Sequence, residues 1–420
     1  MGSESSERRT AQFRTAPEIR HSSQQAFGCT LWVRVHRYIG LVLGALFVLV
    51  GLTGSILAFW QAIDEWLNAD IMRVEVPLQA TYRPLDEILA AARAIAPPNG
   101  VPESLTLPRH PRAAASIFYV VPGAGEEPDY YEVFADPYTA KATGQRLMMR
   151  GGNLLTQPFI HIVMDLHWTL LAGYDKSYLV GIPAIFLLAS VLVGLYLWWP
   201  RNGNWRQALT VKWGATPVRL TYDIHKTFGL YLSAVLIVIL FSGIYIIFKP
   251  EVSSIVRLFS PVREEPKDVK STLVLGQAPL GLEAAAAIAN KVFPDGKLKS
   301  ISLPKGPAGV YVVGKQSDDE PNRAATYRHV TIDQYSGQIL HIQDRANFTP
   351  GEIFLEWQYP LHCGEAFGNY GRAFIMLMGF VPLILYVTGF MRWRQKRRAR
   401  KCSKAHRRVA ATILPAETAE

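Results

Sequence analysis

Four runs of this chain contain no charged side chain: residues 38–60, 178–199, 228–248 and 373–390. At about 1.5 Å of rise per residue, each is long enough to cross a hydrocarbon layer roughly 30 Å thick. A core helix of a soluble protein would carry a polar stripe on its solvent face, and these runs carry none. The pattern therefore predicts four transmembrane helices. The first run starts near residue 38, exceeds the apolar core of a signal peptide, and ends in Phe59-Trp60-Gln61 rather than small residues. It reads as a retained anchor.

The two long connections alternate differently. Each opens on an amphipathic helical pattern, 85–95 and 281–292, followed by strand-like runs at 116–121 and 309–313. Each then carries a strand that enters an Asp-led turn: Val133-Phe134-Ala135-Asp136-Pro137-Tyr138 and Val330-Thr331-Ile332-Asp333-Gln334-Tyr335. The membrane segments repeat too. His36-Arg37-Tyr38-Ile39-Gly40-Leu41 and His225-Lys226-Thr227-Phe228-Gly229-Leu230 enter the first and third helices, and Leu166-His167 and Leu361-His362 precede the second and fourth. The chain thus reads as two tandem halves, each a helix, an α+β domain and a helix. Two crossings per half give both halves one orientation, related by a pseudo-two-fold axis along the membrane normal.

The expected organisation is a basic lead-in (1–35), a first span (36–62), an outer α+β domain (63–160), an outer-face helix with the second span (161–199), and a loop (200–224). A third span (225–248), a second outer domain (249–360), a fourth span (361–394) and a basic tail (395–420) complete it. The fold class is a four-helix transmembrane bundle with two α+β domains, each expected to fold on its own core.

Charge sets the orientation. Of the net +10, much lies in Arg8, Arg9, Arg14, Arg20 and Arg34, in Arg201, Arg206, Lys212 and Arg219, and in the tail from Arg392 to Arg408. Basic residues flank the cytoplasmic ends of spans, which puts both termini inside and both α+β domains outside. The same logic accounts for the tail without a nucleic-acid partner. Cys29, Cys363 and Cys402 fall on different sides and offer no disulfide framework.

The repeat puts four histidines at matching depths: His36 and His225 at the cytoplasmic ends, His167 and His362 at the outer ends. Two facing imidazoles can hold a haem iron through both axial positions, and helical bundles build cofactor sites from facing side chains. Arg37 and Lys226 follow the inner histidines, and Lys176 and Arg372 flank the outer ones, where cations suit haem propionates. Interfacial histidines are also common as plain anchors, and spacing alone leaves both readings open. Zinc wants its ligands clustered in one place, not divided between two faces. His161 is read as a surface residue or an alternative outer ligand, with the surface preferred. His110, His329 and His341 are read as solvated domain residues, and His21 and His406 as tail residues.

The His-Arg-x-x-Gly-Leu and His-Lys-x-x-Gly-Leu helix starts, the two Leu-His sites, Trp198-Trp199-Pro200 and Asp136-Pro137-Tyr138-Thr139 together resemble the PepSY-associated transmembrane proteins, over about residues 31–395. That group includes iron-regulated inner-membrane proteins and ferric-siderophore reductases. The resemblance implies two b-type haems, one on His36 and His225 and one on His167 and His362, beneath two periplasmic PepSY-like domains. It implies an inner-membrane haem oxidoreductase that reduces a periplasmic ferric siderophore with electrons from an unidentified donor. Two positions depart from the pattern: Ala140 stands where the Asp-led turn usually has Gly, and Cys363 stands where Thr is more familiar. No Gly-rich dinucleotide fingerprint accompanies a strand–helix unit, so a nicotinamide or flavin site is not expected. The rivals are a haem carrier with another acceptor, and a non-catalytic membrane protein whose outer domains bind periplasmic proteins or peptides.

Overall fold

A computed structural model describes residues 16–413 except 124, 126, 202, 265, 267 and 275, with side chains described from Thr30 to Ala405. The side chains of Arg8, Arg9, Arg14, Arg20, His21, Cys29, His406 and Arg408 lie outside that range. In chain order, the first half has helices α1 (Ala16–Leu57), α2 (Trp60–Leu67), α3 (Ala69–Met72), α4 (Leu85–Ile95), α5 (Phe159–Trp168) and α6 (Tyr178–Trp198). Its strands are β1 (Val101–Thr106), β2 (Ala115–Val121), β3 (Asp129–Asp136) and β4 (Lys141–Met149). After α7 (Trp205–Leu209), the second half has α8 (Pro217–Ile247), α9 (Lys249–Val256), α10 (Leu282–Val292), α11 (Pro350–Glu356), α12 (Gln358–Cys363), α13 (Gly368–Met378) and α14 (Val381–Ile413). Its strands are β5 (Lys297–Ser302), β6 (Val310–Gln316), β7 (Arg328–Asp333) and β8 (Ile339–Gln343).

Four segments are long and apolar enough to cross a membrane: Thr30–Leu57, Tyr174–Trp198, Pro217–Ile247 and Glu365–Ala405. The protein is a membrane protein with α+β insertions. The first helix begins well before residue 36, inside the basic lead-in, and the last runs on through the basic tail. The fourth span is not one helix. It breaks between α13 and α14, where Pro382 cannot continue the hydrogen-bond ladder of the preceding turn. Gly379 at the break lies against α1: an added Cβ would come within 2.0 Å of Ser55 Oγ and 2.4 Å of the Gly51 carbonyl. Ser55 Oγ donates to the Met376 carbonyl at 2.8 Å, satisfying one of the acceptors that end α13.

The chain divides into two compact units. One gathers residues up to Phe47, Phe186–Ile237 and Pro382 onward; the other gathers Val48–Ile185 and Val238–Val381. In the first unit, the loop after α6 is tied down through its carbonyls. Trp198 Nε1 donates to Ala208 O at 3.1 Å and Tyr231 OH to Leu209 O at 3.2 Å.

In the second unit, the two α+β insertions form one antiparallel sheet in the order β4-β3-β2-β1-β5-β6-β7-β8. The junction pairs equivalent strands at equivalent positions, with Leu105 opposite Ile301 and Ser104 opposite Ser302. Even the irregularities recur. A register shift lies between Pro102 and Ser104 in β1 and between Leu298 and Ser300 in β5. Another lies between Phe134 and Ala135 in β3 and between Thr331 and Ile332 in β7. Bulges bend and twist a strand, so their repetition gives both halves of the sheet the same curvature.

Helices α4 and α10 pack together over one face of this sheet. Their buried residues, Leu85, Ile88, Leu89 and Ala92 with Leu282, Ala285, Ala286 and Ala289, belong to a single apolar cluster that also takes in Leu105, Ile117, Val133, Ile301, Val313 and Val330. This corrects the expectation that each insertion has its own core. Continuous β1–β5 pairing lets the two helices bury their stripes against each other as well as against strands.

The Asp-led turns agree in detail. Asp136 Oδ1 accepts from Tyr138 N at 2.8 Å, and Asp333 Oδ1 accepts from Tyr335 N at 2.9 Å and Ser336 N at 2.9 Å. The turn ends in a left-handed residue in both halves, Ala140 at φ 50° and Gly337 at φ 71°.

Candidate functional site: two facing histidine pairs

Each unit holds one pair of imidazoles. In the first, His36 of α1 faces His225 of α8, with ring centroids 6.2 Å apart and planes at 67°. In the second, His167 of α5 faces His362 of α12, again at 6.2 Å, with planes at 63°. Each half of the chain gives one histidine to each pair.

All four rings are held alike. His36 Nδ1 lies 2.9 Å from both the carbonyl and the hydroxyl of Ser190 on α6. His167 Nδ1 is 2.9 Å from Val50 O and 3.1 Å from Thr53 Oγ1, both on α1. His362 Nδ1 is 3.1 Å from both Ile239 O and Ser242 Oγ on α8. His225 Nδ1 is 2.9 Å from Thr388 Oγ1 on α14, with the Leu385 carbonyl also a partner. Carbonyls only accept, so each Nδ1 carries the proton and each Nε2 keeps its lone pair.

A glycine stands beside every ring. An added Cβ at Gly194, Gly54, Gly243 or Gly389 would sit 3.1, 2.9, 3.1 or 3.4 Å from Cε1 of His36, His167, His362 or His225. In each case the accepting carbonyl belongs to the residue four before the glycine: Ser190, Val50, Ile239 and Leu385. A helical side chain leans back over the preceding turn and would cover that carbonyl; glycine leaves it open to a second donor. None of these backing residues was singled out in the sequence. The available signal was a hydroxyl residue directly before glycine inside three apolar runs: Thr53-Gly54, Ser242-Gly243 and Thr388-Gly389.

The donor set fits an iron held through two imidazoles. Two metal–nitrogen bonds of about 2.0–2.1 Å, plus about 1.1 Å from each nitrogen to the centre of a ring with ~1.33 Å sides, span roughly 6.2 Å. Nδ1–H bound to a carbonyl or hydroxyl is also how metal-ligating histidines are oriented.

The flanking cations are placed less uniformly. Lys226 Nζ lies 3.3 Å from Asp223 Oδ1 and also donates to the carbonyls of Gln207 and Thr210. Arg372 pairs with Glu365 at 2.7 Å, and Lys176 pairs with Asp175. Arg37 has no ion pair among the described residues and lies within electrostatic reach of Lys396. Cys363 turns its sulfur toward Pro360 O, 4.0 Å away.

His161 is not a surface residue: its ring stands edge-on to Trp60 at 6.2 Å and its Nδ1 is buried without a partner. It lies one helical turn before Asp165, and Gln157 stands just ahead of α5; both also have a buried unpartnered oxygen. His110 is not simply solvated either. With Arg73 at 2.8 Å and Arg109 at 2.6 Å, its Nε2 at 2.8 Å surrounds the buried Glu65 carboxylate. Burial alone would push the Glu65 carboxyl up; hydrogen bonds from His110 and Arg73 outweigh it and hold it below its usual range. His329 Nε2 meets Thr326 Oγ1 at 2.5 Å, and His341 lies across the sheet from Thr331.

The chain matches the PepSY-associated TM region over residues 33–396. No curated protein matches the chain.

Proposed function

Because this chain belongs to the PepSY-associated TM region family, we propose that it is a two-haem reductase of the bacterial inner membrane. It takes electrons from the cytoplasmic or membrane side and delivers them to a periplasmic ferric siderophore. His36 and His225 would hold one b-type haem, and His167 and His362 the other. Bound haem supplies a one-electron iron couple that no amino-acid side chain offers at moderate potential.

The chain's own part is to bind, orient and insulate. Four Nε2 lone pairs are presented by rings whose Nδ1–H groups are committed elsewhere, so no ligand must lose a proton to bind. The rings lie part-buried against α1, α6, α8 and α14. Arg37, without a carboxylate partner among the described residues, is the inner cation best placed to meet a propionate, whereas Lys226 and Arg372 would share theirs with Asp223 and Glu365. Net delivery of one electron turns a ferric chelate into a ferrous one. The softer, less charged ion is then held more weakly by hard oxygen donors.

The observation that carries this reading is the equal 6.2 Å separation in both pairs. The test is haem content per purified chain, followed by mixing the reduced protein with a ferric siderophore and trapping ferrous iron with a coloured chelator. Two haems per chain and chelator colour are expected. A chain that stays colourless after haem reconstitution sinks the proposal, and haem without ferrous release moves it to another acceptor.

A further inference from the structure

On the premise that the two histidine pairs hold haem iron, as proposed above, the groups behind the rings set how that iron is gripped. Three of the backing hydroxyls have their own proton already spent. Thr388 Oγ1 donates to Ile384 O at 2.7 Å, Thr53 Oγ1 to Leu49 O at 2.9 Å, and Ser242 Oγ to Val238 O at 2.7 Å. With the proton turned back into its own helix, each hydroxyl offers the neighbouring imidazole only a lone pair. The helix carbonyl uncovered by the glycine offers a second. At these three rings the Nδ1–H faces acceptors alone; at the fourth, Ser190 offers His36 Nδ1 a carbonyl oxygen and a hydroxyl oxygen. An acceptor at Nδ1–H pushes electron density toward Nε2 and makes the ring a stronger donor.

We infer that Thr388, Thr53, Ser242 and Ser190, each with the glycine that follows it on its helix, are positioning residues that lock the imidazole tautomers and lower the electron affinity of the iron those rings hold. The recurrence is the argument. The four acceptor sets lie on four different helices, and each combines a hydroxyl with the carbonyl four residues before a glycine. Packing alone does not require an acceptor at the same ring nitrogen every time. Small residues in membrane helices commonly serve close helix approach. Here the space left by each glycine is taken up by a ring edge.

The experiment compares the full chain with T388V and T388S in detergent or nanodiscs. Valine keeps the shape of threonine and removes the acceptor; serine restores it. With haem bound, a spectroelectrochemical titration should show one of two midpoint potentials rising in T388V, the other unmoved, and T388S returning to the parent value. Loss of one haem in T388V that T388S prevents also supports the positioning role. Unchanged midpoints at full haem content overturn it, as does an equal shift in T388S. Without haem, the solvent exchange of the His225 Nδ1 proton, read by nitrogen-edited NMR, should quicken by about fivefold in T388V and stay slow in T388S. Rapid exchange in the parent chain would overturn the lock. A chain that takes up no haem yet shows the slow, hydroxyl-dependent exchange would refute the reductase proposal and leave this inference standing.

Discussion

Asp86 and Glu283 cap each other's helices across the junction of the two repeats. Asp86 of α4 accepts from the backbone N–H groups of Leu282 and Glu283 at the start of α10, at 2.8 and 3.3 Å. Glu283 in turn accepts from Leu85 N at the start of α4, at 2.9 Å. Helix starts leave N–H groups without intrahelical partners, and neither helix has a side-chain cap from its own preceding residue, which is Pro84 for α4 and Gly281 for α10. The exchange closes a structural two-fold at the level of single hydrogen bonds.

Removing either acid should therefore weaken both halves of the sheet together. Asp86→Ala and Glu283→Ala are each expected to cost about 1 kcal/mol, the usual worth of an N-terminal cap. Because each removes a partner that serves the other repeat, the melting of the sheet should stay a single transition. Thermal unfolding followed at strand-sensitive wavelengths would show this. Two separated transitions in either variant would contradict the shared core.

The left-handed end of the Asp-led turn gives a prediction of opposite sign in the two halves. Ala140 holds φ 50°, where a Cβ is strained; Gly337 holds φ 71° without one. Ala140→Gly should raise stability by about 0.5–1 kcal/mol, the steric relief being partly offset by glycine's greater freedom in the unfolded chain. Gly337→Ala should lower stability by more than that, since its new Cβ would also press on Ile288 Cδ1 at 3.0 Å. Paired melting curves decide it, and a destabilised Ala140→Gly would show that the turn carries no strain.

Much of this architecture was legible from a few positions. Charge-free runs announce spans because lipid tolerates no unpaired charge, and the two His-cation-x-x-Gly-Leu starts display the repeat. The shared core was hidden because β1–β5 pairing joins residues far apart in sequence, and each insertion taken alone shows a complete set of helix and strands. The broken fourth span was half visible: Pro382 marks the place, but the close approach of Gly379 to Ser55 depends on another helix. Thr53-Gly54, Ser242-Gly243 and Thr388-Gly389 carry no distinctive signal in sequence, because small residues are ordinary in membrane helices. Their meaning needs the ring beside them.

Acid should loosen the segment that leads into α12. Glu352 takes both Arg263 nitrogens, Nη2 at 2.6 Å and Nε at 2.8 Å, and closes the capping box with Thr349 at the start of α11. The Arg263 hydrogen bonds hold its carboxyl down at about 2, against a usual value of 4.5. A depressed pKa in the folded state means stability that is complete above about pH 4.5 and lost as pH falls toward 2. Arg263 is half exposed, so screening limits the effect to roughly 1–2 kcal/mol. Melting temperatures from pH 6 down to 3 should fall faster for the parent chain than for Glu352→Gln, which starts lower. Parallel curves would remove Glu352 from the account.

Gly54→Ala separates the two histidine pairs most cleanly. Its Cβ would lie 2.9 Å from Cε1 of His167, closer than such atoms pack, and would cover the Val50 carbonyl that His167 uses. The ring must move by several tenths of an ångström, while its partner His362 is backed from α8 and has no reason to follow. A two-ligand site tolerates little misplacement, because metal–nitrogen bonds vary by only about 0.2 Å. With the two pairs holding the haems proposed for them, Gly54→Ala should bind one where the parent chain binds two, and His362→Ala should give the same count. His36→Ala should lose the other haem. Combining Gly54→Ala with His36→Ala should leave none, while combining it with His362→Ala should still leave one. Haem per chain, measured by the absorbance of the pyridine complex against protein mass, reads all five variants on one scale. Two haems retained in Gly54→Ala would mean that the glycine gap is not needed to seat His167.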